Sequence, residues 1–354
     1  MPRPSRSEPR NSPTGEERRR LLEILRSNQG FSEPERWVEY AWQHTFKKTL
    51  AEKLIHCPDC GAGSYTTIGQ YVYYSTLARL RTCSNCGLVY SDSRIDPEVI
   101  QTHFEQSYKD EDYFRKRRRR IVRQIAHLVD RFSPRCGRAL DVGGATGYQM
   151  AVVKQIRPDL EITICDVSEV ACAAAASRYG FKTICGRLTT LEDIKERFHV
   201  VVMSDVIYYE PDLAGQWKLL SDLVADGGSV IIRVPNTLTP MRIVQWILRL
   251  LKPRKAAELS DRVSFFNPEH LYIFSPRFLI KRLRTTGFDT VFVLPSELPI
   301  SNWKRRYLHA LWYGMATAVH FLSFGQFVIT PSILVVGTRR APGLGTTSPA
   351  KQSK

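Results

Sequence analysis

The chain is short of acid. Only 35 Asp and Glu stand against 51 Lys and Arg, a formal net charge of +16 at pH 7. The excess gathers in Arg18 to Arg20, Arg115 to Arg120, Arg242 to Lys255, Lys304 to Arg306 and the tail. Such a surface favours nucleic acid, an anionic membrane or a phosphorylated substrate, although a solvated basic face requires none of them. The opening Met1-Pro-Arg-Pro-Ser-Arg-Ser-Glu-Pro-Arg10 lacks the apolar core of a signal peptide, so a cytoplasmic location is expected. Eight cysteines in that setting, four of them paired as two C-x-x-C units, argue against a disulfide framework. Cys136, Cys165, Cys172 and Cys185 fall in or beside apolar strands and helices, where buried cysteine is the default reading. With 354 residues and 43% hydrophobic content, the chain can bury one substantial core and carry one or two small modules.

Another absence is more specific. The dinucleotide fingerprint G-x-G-x-x-G fails at the stretch Arg138-Ala-Leu-Asp-Val-Gly-Gly-Ala-Thr-Gly147, because Ala145 and Tyr148 stand at the required places after Gly143. The stretch reads instead as a buried strand, Ala139 to Val142, and a tight loop, Gly143, Gly144, Ala145, Thr146 and Gly147, whose backbone N–H groups can approach a ligand. A helix follows from Tyr148 to about Ile156, stopped by Pro158. The loop fits the D/E-x-G-x-G-x-G pattern of class I S-adenosylmethionine (SAM) methyltransferases at Asp141, Gly143 and Gly147 and departs at Ala145; a glycine turn in some other α/β protein is the plain alternative. Glu161 to Asp166 is the next strand. It ends in an acid where a carboxylate can accept both ribose hydroxyls, with Val167 beside it, unless Asp166 is merely a helix cap.

The alternation continues. A helix from Glu169 to Tyr179 ends at Gly180, Phe181 to Cys185 is a third strand, His199 to Asp205 a fourth, and Gly227 to Asn236 a fifth. The pattern calls for a parallel, Rossmann-like α/β sheet with helices on both faces and the ligand crevice at the carboxyl ends of its strands, where Gly143, Asp166, Asp205 and Asn236 converge.

Upstream, Cys57-Pro-Asp-Cys60-Gly and Cys83-Ser-Asn-Cys86-Gly are separated by 22 residues. Two knuckles of this kind on a hairpin have the spacing of a four-cysteine zinc ribbon, with redox-active pairs as the rival. Four thiolates close the metal's coordination, so the zinc is structural and has no catalytic role. Residues 1–15 should be disordered, Glu16 to Ser27 a short helix, and a second helix starts at the capping box Ser32-x-x-Glu35 and carries Trp37, Trp42, Phe46, Leu50 and Leu54. Between Pro97 and Phe132 the residues Phe114, Ile121, Ile125, Leu128 and Phe132 mark one face of a helix. The six bases Arg115 to Arg120 cannot all share that face, and most must project to solvent or onto a polyanion.

Together with Ser204-Asp-Val-Ile, Arg233-Val-Pro-Asn236, Asn267-Pro-Glu-His-Leu-Tyr-Ile-Phe-Ser275 and Gly287-Phe288, the loop and the knuckles resemble the bacterial class I SAM-dependent methyltransferases that carry an N-terminal zinc ribbon. The resemblance covers about residues 55–340 and implies a seven-stranded sheet, SAM as cofactor and a methyl acceptor in surface-glycan, lipid-linked or secondary-metabolite chemistry. One departure stands out: Tyr208-Tyr209 occupies the place where that family often has Glu-His. The chain then divides into a tail (1–15), N-terminal helices (16–55), a zinc ribbon (56–96), a basic helical linker (97–135), the methyltransferase domain (136–340, with insertions 239–285 and 299–327 forming a helical cap) and a second tail (341–354).

An oxygen nucleophile needs its proton removed, and the candidates are His270, Asp205, Tyr208, Tyr209 and Tyr272. His270 leads, on a segment expected to form a lid, with a role as cap of the helix near Ser275 as its alternative; Asp205 ranks second, or binds the SAM amino group. Thr239 to Lys255 is amphipathic and basic, and Tyr307 to Thr338 holds no Asp, Glu, Lys or Arg. Its last part, Ser332 to Gly337, reads as a strand, and Tyr307 to Phe324 as a cap over the site that touches the inner face of the membrane or, failing that, a core or homodimer helix. Two other functions stay open: an RNA methyltransferase, against which stands the lack of an Asn-Pro-Pro-aromatic motif, and a non-catalytic binding protein, motivated by Ala145 and Tyr208-Tyr209.

Overall fold

A computed structural model describes residues 52–73, 76–94, 115, 118–237, 250–251, 270–297 and 306–340. The expected tails, the helices between Glu16 and Leu50, and all of the amphipathic stretch Thr239 to Lys255 except 250–251 lie outside these residues.

The N-terminal module is built of β1 (Glu52–Lys53), β2 (Tyr65–Tyr73), β3 (Thr76–Cys83), β4 (Val89–Ser91) and β5 (Ser93–Arg94). Glu52–Lys53 pairs antiparallel with Ser93–Arg94, so the helix expected to reach Leu54 gives way to a strand and the ribbon begins earlier than residue 56. The pairing is held from the side by Arg81, which donates to Leu54 O at 2.7 Å and pairs with Asp92 at 3.0 Å.

The main sheet contains β6 (Arg138–Val142), β7 (Glu161–Asp166), β8 (Lys182–Cys185), β9 (Phe198–Ser204), β10 (Val224–Pro235), β12 (Thr290–Ser296) and β13 (Ser332–Thr338), in the order β12-β13-β10-β9-β6-β7-β8. β11 (Tyr272–Ile273) belongs elsewhere, as described below. The helices are α1 (Arg119–Phe132), α2 (Tyr148–Ile156), α3 (Glu169–Tyr179), α4 (Leu213–Leu223), α5 (Pro276–Thr285) and α6 (Arg306–Leu322). Strands β6 to β10 pair in parallel, as the alternation requires, whereas β13 runs antiparallel to both β10 and β12. The reason is the position of α6. It keeps the chain at the crevice end after β12, so β13 must start from that end and run back.

Both faces of the sheet are covered, which is why β9 is apolar at five of its seven positions. On one face α1 and α2 bury Ile121, Ile125, Met150 and Val153 against Val200, Val202 and Ile231. The described end of the stretch read as a linker, Arg119–Phe132, thus packs on the sheet. On the other face α4 and α5 bury Trp217, Leu220, Phe278 and Leu279. Helix starts are fixed locally: Ser168, Asp212 and Ser275 each accept a backbone N–H from the first turn, contacts worth about 1 kcal/mol apiece.

The two modules share a sheet. β11, which starts two residues on from His270, pairs with β4 of the ribbon through Tyr272 with Tyr90 and Ile273 with Val89. Below this seam the buried Asp59 carboxylate accepts from Trp217 Nε1 at 3.2 Å and Arg282 Nε at 2.7 Å. The segment expected to close as a lid is thus an edge strand of the ribbon. Cys165 and Cys172 are buried as expected, but Cys136, in the turn before β6, and Cys185, at the end of the edge strand β8, are exposed.

Candidate functional site

β6 delivers Asp141 to the crevice, and the glycine loop turns over it. Gly143 (φ 69°) and Gly147 (φ 79°) take left-handed backbone, and a Cβ on Gly143 would stand 2.8 Å from Val206. Ala145 occupies the middle position with φ 49°, a conformation that costs an L-residue about 1 kcal/mol or more. It is compensated by a hydrogen bond, Ala145 N–H to Asp166 Oδ2 at 2.8 Å. The other carboxylate oxygen of Asp166 accepts from Ser168 N–H at 3.0 Å, so this acid ties the loop to the residue that caps α3. Val167 follows it, partly buried, at the strand end. Burial raises the pKa of Asp166 despite these donors.

A shallow cleft opens beside the loop, lined by Asp141, Gly143, Gly144, Ala145, Thr146, Tyr148, Gln149, Ser204 and Arg118. Asp141 accepts from Gln149 Nε2 at 3.2 Å, and burial pushes its carboxyl up to about 8. Thr146 Oγ1 is buried there without a hydrogen-bond partner. Across the cleft stands Arg118, whose guanidinium donates to Ser204 Oγ at 2.9 Å and to Asp205 Oδ2.

Asp205, at the end of β9, also receives Arg233. Its backbone is left-handed (φ 63°), a conformation Asp tolerates better than most residues. Burial alone would raise its pKa, but Arg233 and Arg118, with His270, overcome that and hold it below the usual carboxylate value. Arg233 itself is 1% exposed and anchored on Ser296 Oγ and Glu297 O. Sequence reasoning missed both arginines. Arg233 interrupts an apolar strand, and Arg118 lies three and seven positions before Ile121 and Ile125, in phase with the buried face, which distinguishes it from the solvated members of the basic run.

His270 packs its ring against Tyr208, centroids 3.9 Å apart, and edge-on to Tyr209 at 5.5 Å. Its neighbour Leu271 is pinned on both sides, N–H to Tyr208 O and C=O to Ser91 N–H, each at 2.9 Å. Burial lowers the His270 pKa to about 4, and raises the Tyr208 phenol well above 10. Tyr272 donates to Pro211 O at 2.9 Å, which commits it to structure. Asn236 is likewise committed, donating to Val328 O and Thr330 O.

Cys57, Cys60, Cys83 and Cys86 converge with their sulfurs all within 4.8 Å of one another, Cys57 to Cys86 and Cys60 to Cys83 at 3.6 Å. Thiolates about 2.3 Å from a tetrahedral zinc lie roughly 3.8 Å apart, so the cluster fits that ion. Gly61 (φ 69°) and Gly87 (φ 77°) close the two knuckles by donating to Cys57 O and Cys83 O. Asn85 Nδ2 points at Cys60 Sγ from 3.6 Å, in the manner of a group that orients a metal ligand.

An open, mostly parallel sheet with its cleft at a glycine loop after the first strand defines a nucleotide-binding domain of the SAM-dependent methyltransferase class. Residues 113–293, just over half of the chain, match the methyltransferase-domain family, and the chain belongs to it. It is 25% identical over 136 residues to a malonyl-[acyl-carrier protein] O-methyltransferase of Acetivibrio thermocellus, covering 38% of this chain and 48% of that protein. It is 31% identical over 115 residues to ribosomal RNA small subunit methyltransferase G of Burkholderia ambifaria, covering 30% and 47%. The chain thus spans about half the length of the curated relatives it matches. Among solved structures, a SAM-dependent methyltransferase from Thermotoga maritima, a possible histamine N-methyltransferase, superimposes with a TM-score of 0.44 at 16% identity, covering 68% of this chain and all of that one.

Proposed function

We infer that the protein transfers a methyl group from SAM to an oxygen of a small-molecule, glycan or lipid-linked acceptor. The observation that carries the cofactor half is the polarity of the cleft: a buried acid, Asp141, on one side of the glycine loop and the guanidinium of Arg118 on the other. SAM presents a cationic sulfonium, an ammonium and a carboxylate, which suit the Asp141 carboxyl, once it gives up its proton, and the Arg118 guanidinium. Thr146 Oγ1 offers a further unmet hydrogen bond, and Asp166 stands at the strand end that suits a ribose. Bound there, SAM would supply an electrophilic methyl group. The chain's own part is to align the acceptor and hold its proton.

For the proton, His270 is best supported. It is neutral above about pH 4 and so keeps a lone pair at neutral pH, whereas the Tyr208 phenol stays protonated and Asp205 is spent on two guanidiniums. Tyr209, edge-on to His270, supports the ring rather than replacing it. Four closely set thiols favour one structural zinc per chain. Calorimetric titration with SAM and with its demethylated product is the direct test, and absence of heat with both overturns the reading. Exposed Arg115 and Arg119 leave RNA as the second acceptor class; tRNA binding with a steep salt slope would favour it. Cofactor binding without methyl transfer from labelled SAM to any component of a cell extract would favour a non-catalytic role.

A further inference from the structure

α6 packs only its inner face. Tyr313 donates to Pro295 O at the end of β12 and Ala316 is buried, while Tyr307, Leu311, Phe321, Leu322 and Phe324 are 72% to 94% exposed. Tyr307, Leu311, Met315 and Leu322 recur at four and seven positions and so share one side of the helix. An apolar surface of this size on a helix and its following turn marks an interaction site. No helix among the described residues is long and apolar enough to cross a membrane.

Charge selects the occupant. From Leu298 to Thr338 the sequence has Lys304, Arg305 and Arg306, which directly precede Tyr307, and no Asp or Glu. The last acid, Glu297, is neutralised by Arg120 at 2.8 Å. Arg120 is close enough to Tyr313 for the two to interact electrostatically, which brings the basic start of α1, with exposed Arg119, beside α6. Position completes the argument. β12 is parallel to β10 through their shared partner β13, so Pro295 and Glu297 mark the same end of the sheet as Asp205 and the glycine loop.

We propose that the outer face of α6 with the turn at Phe324 docks on an anionic membrane surface, with arginines of α1 as its charged collar, and so presents the crevice to an acceptor held at that surface. Apolar insertion and attraction to headgroups together provide the two signals that stable peripheral binding needs. The inference extends the lipid-linked form of the proposed function, but docking is measured without methyl transfer.

Flotation of the full chain with phosphatidylcholine vesicles, with and without phosphatidylglycerol, tests it. The expected result is flotation with the anionic vesicles, cut about tenfold or more by Leu311→Asp with Phe324→Asp and weakened by Arg119→Glu, while SAM titration heats stay unchanged. No flotation overturns the proposal, as does flotation abolished by salt and indifferent to the Asp substitutions, which would show electrostatics alone. A wild-type dimer in light scattering that the Asp substitutions dissociate also overturns it, assigning the face to a second copy of the chain. Missing SAM heats with intact flotation strike the methyltransferase reading and leave the docking standing.

Discussion

Cofactor binding should be coupled to a proton at Asp141. This residue is 1% exposed, and burial pushes its carboxyl from 3.8 up to about 8; the Gln149 hydrogen bonds oppose the rise, the Asp166 charge adds to it, and Arg118 opposes it. The folded-state value lies above the unfolded one, so the folded state binds more protons in between. The stability this group contributes is complete below pH 3.8 and lost as the pH rises towards 8. At pH 7 the loss is on the order of 4 kcal/mol. Asp141→Asn keeps the shape and removes the titration. Urea unfolding should therefore show the variant gaining on wild type by about 1.4 kcal/mol per pH unit across this range, with effects common to both proteins cancelling in the difference. A cationic ligand beside the carboxyl favours its ionised form, so SAM should displace a proton at neutral pH and bind more tightly as the pH approaches 8. Calorimetry in buffers of unlike ionisation enthalpy reads the proton directly. A pH-independent stability difference, or heats that do not depend on the buffer, would refute the reasoning.

His270 should act in the opposite sense. Its folded pKa is depressed from 6.5 to about 4, so its contribution is present above 6.5 and lost as the pH falls towards 4, about 3 kcal/mol in all; His270→Gln should flatten the acid limb of the stability curve, measured by urea unfolding. Ala145→Gly should relieve the left-handed strain, with a net gain of about 0.5–1 kcal/mol after the extra freedom of glycine in the unfolded chain, read from the shift in unfolding midpoint. Cys83→Ser should leave the ribbon with substoichiometric zinc by metal analysis and open it to limited proteolysis, because binding the ion is part of its folding.

The sheet was legible because its signals are local. Apolar runs end at glycine, proline or a capping residue, and the alternation of strand and helix leaves few topologies. The knuckles were legible for the same reason, since each closes within one turn around its own glycine. What sequence could not show depends on partners far along the chain. Arg233 reads as a charge out of place until Asp205, Ser296 and Glu297 are brought to it. The basic run Arg115 to Arg120 reads as a solvated face, yet Arg118 turns inward onto Ser204 and Asp205, because its helical phase matches Ile121 and Ile125. The antiparallel turn of β13 and the strand at Glu52–Lys53 were missed because pairing direction and edge strands of two residues leave little periodicity to read.

The same contrast bears on the ribbon. Read alone, a closed cluster of four thiols is a stable knot with no part in chemistry, and its spacing suggests an appended module. In the fold its strand β4 is hydrogen-bonded to the segment that carries His270: Ser91 N–H donates to Leu271 O, while Leu271 N–H donates to Tyr208 O. His270 is therefore set between the ribbon on one side and the turn after β9 on the other, with Tyr208 as the surface its ring lies on. This arrangement gives the Tyr208-Tyr209 pair a physical reason. The two rings form an aromatic bed at the end of β9 that buries and orients the His270 ring, and the ribbon's β4 supplies the edge that holds its segment in place. The ribbon thus holds the His270 segment from one side, and its docking through Asp59 to Trp217 and Arg282 keeps that segment in register with the sheet.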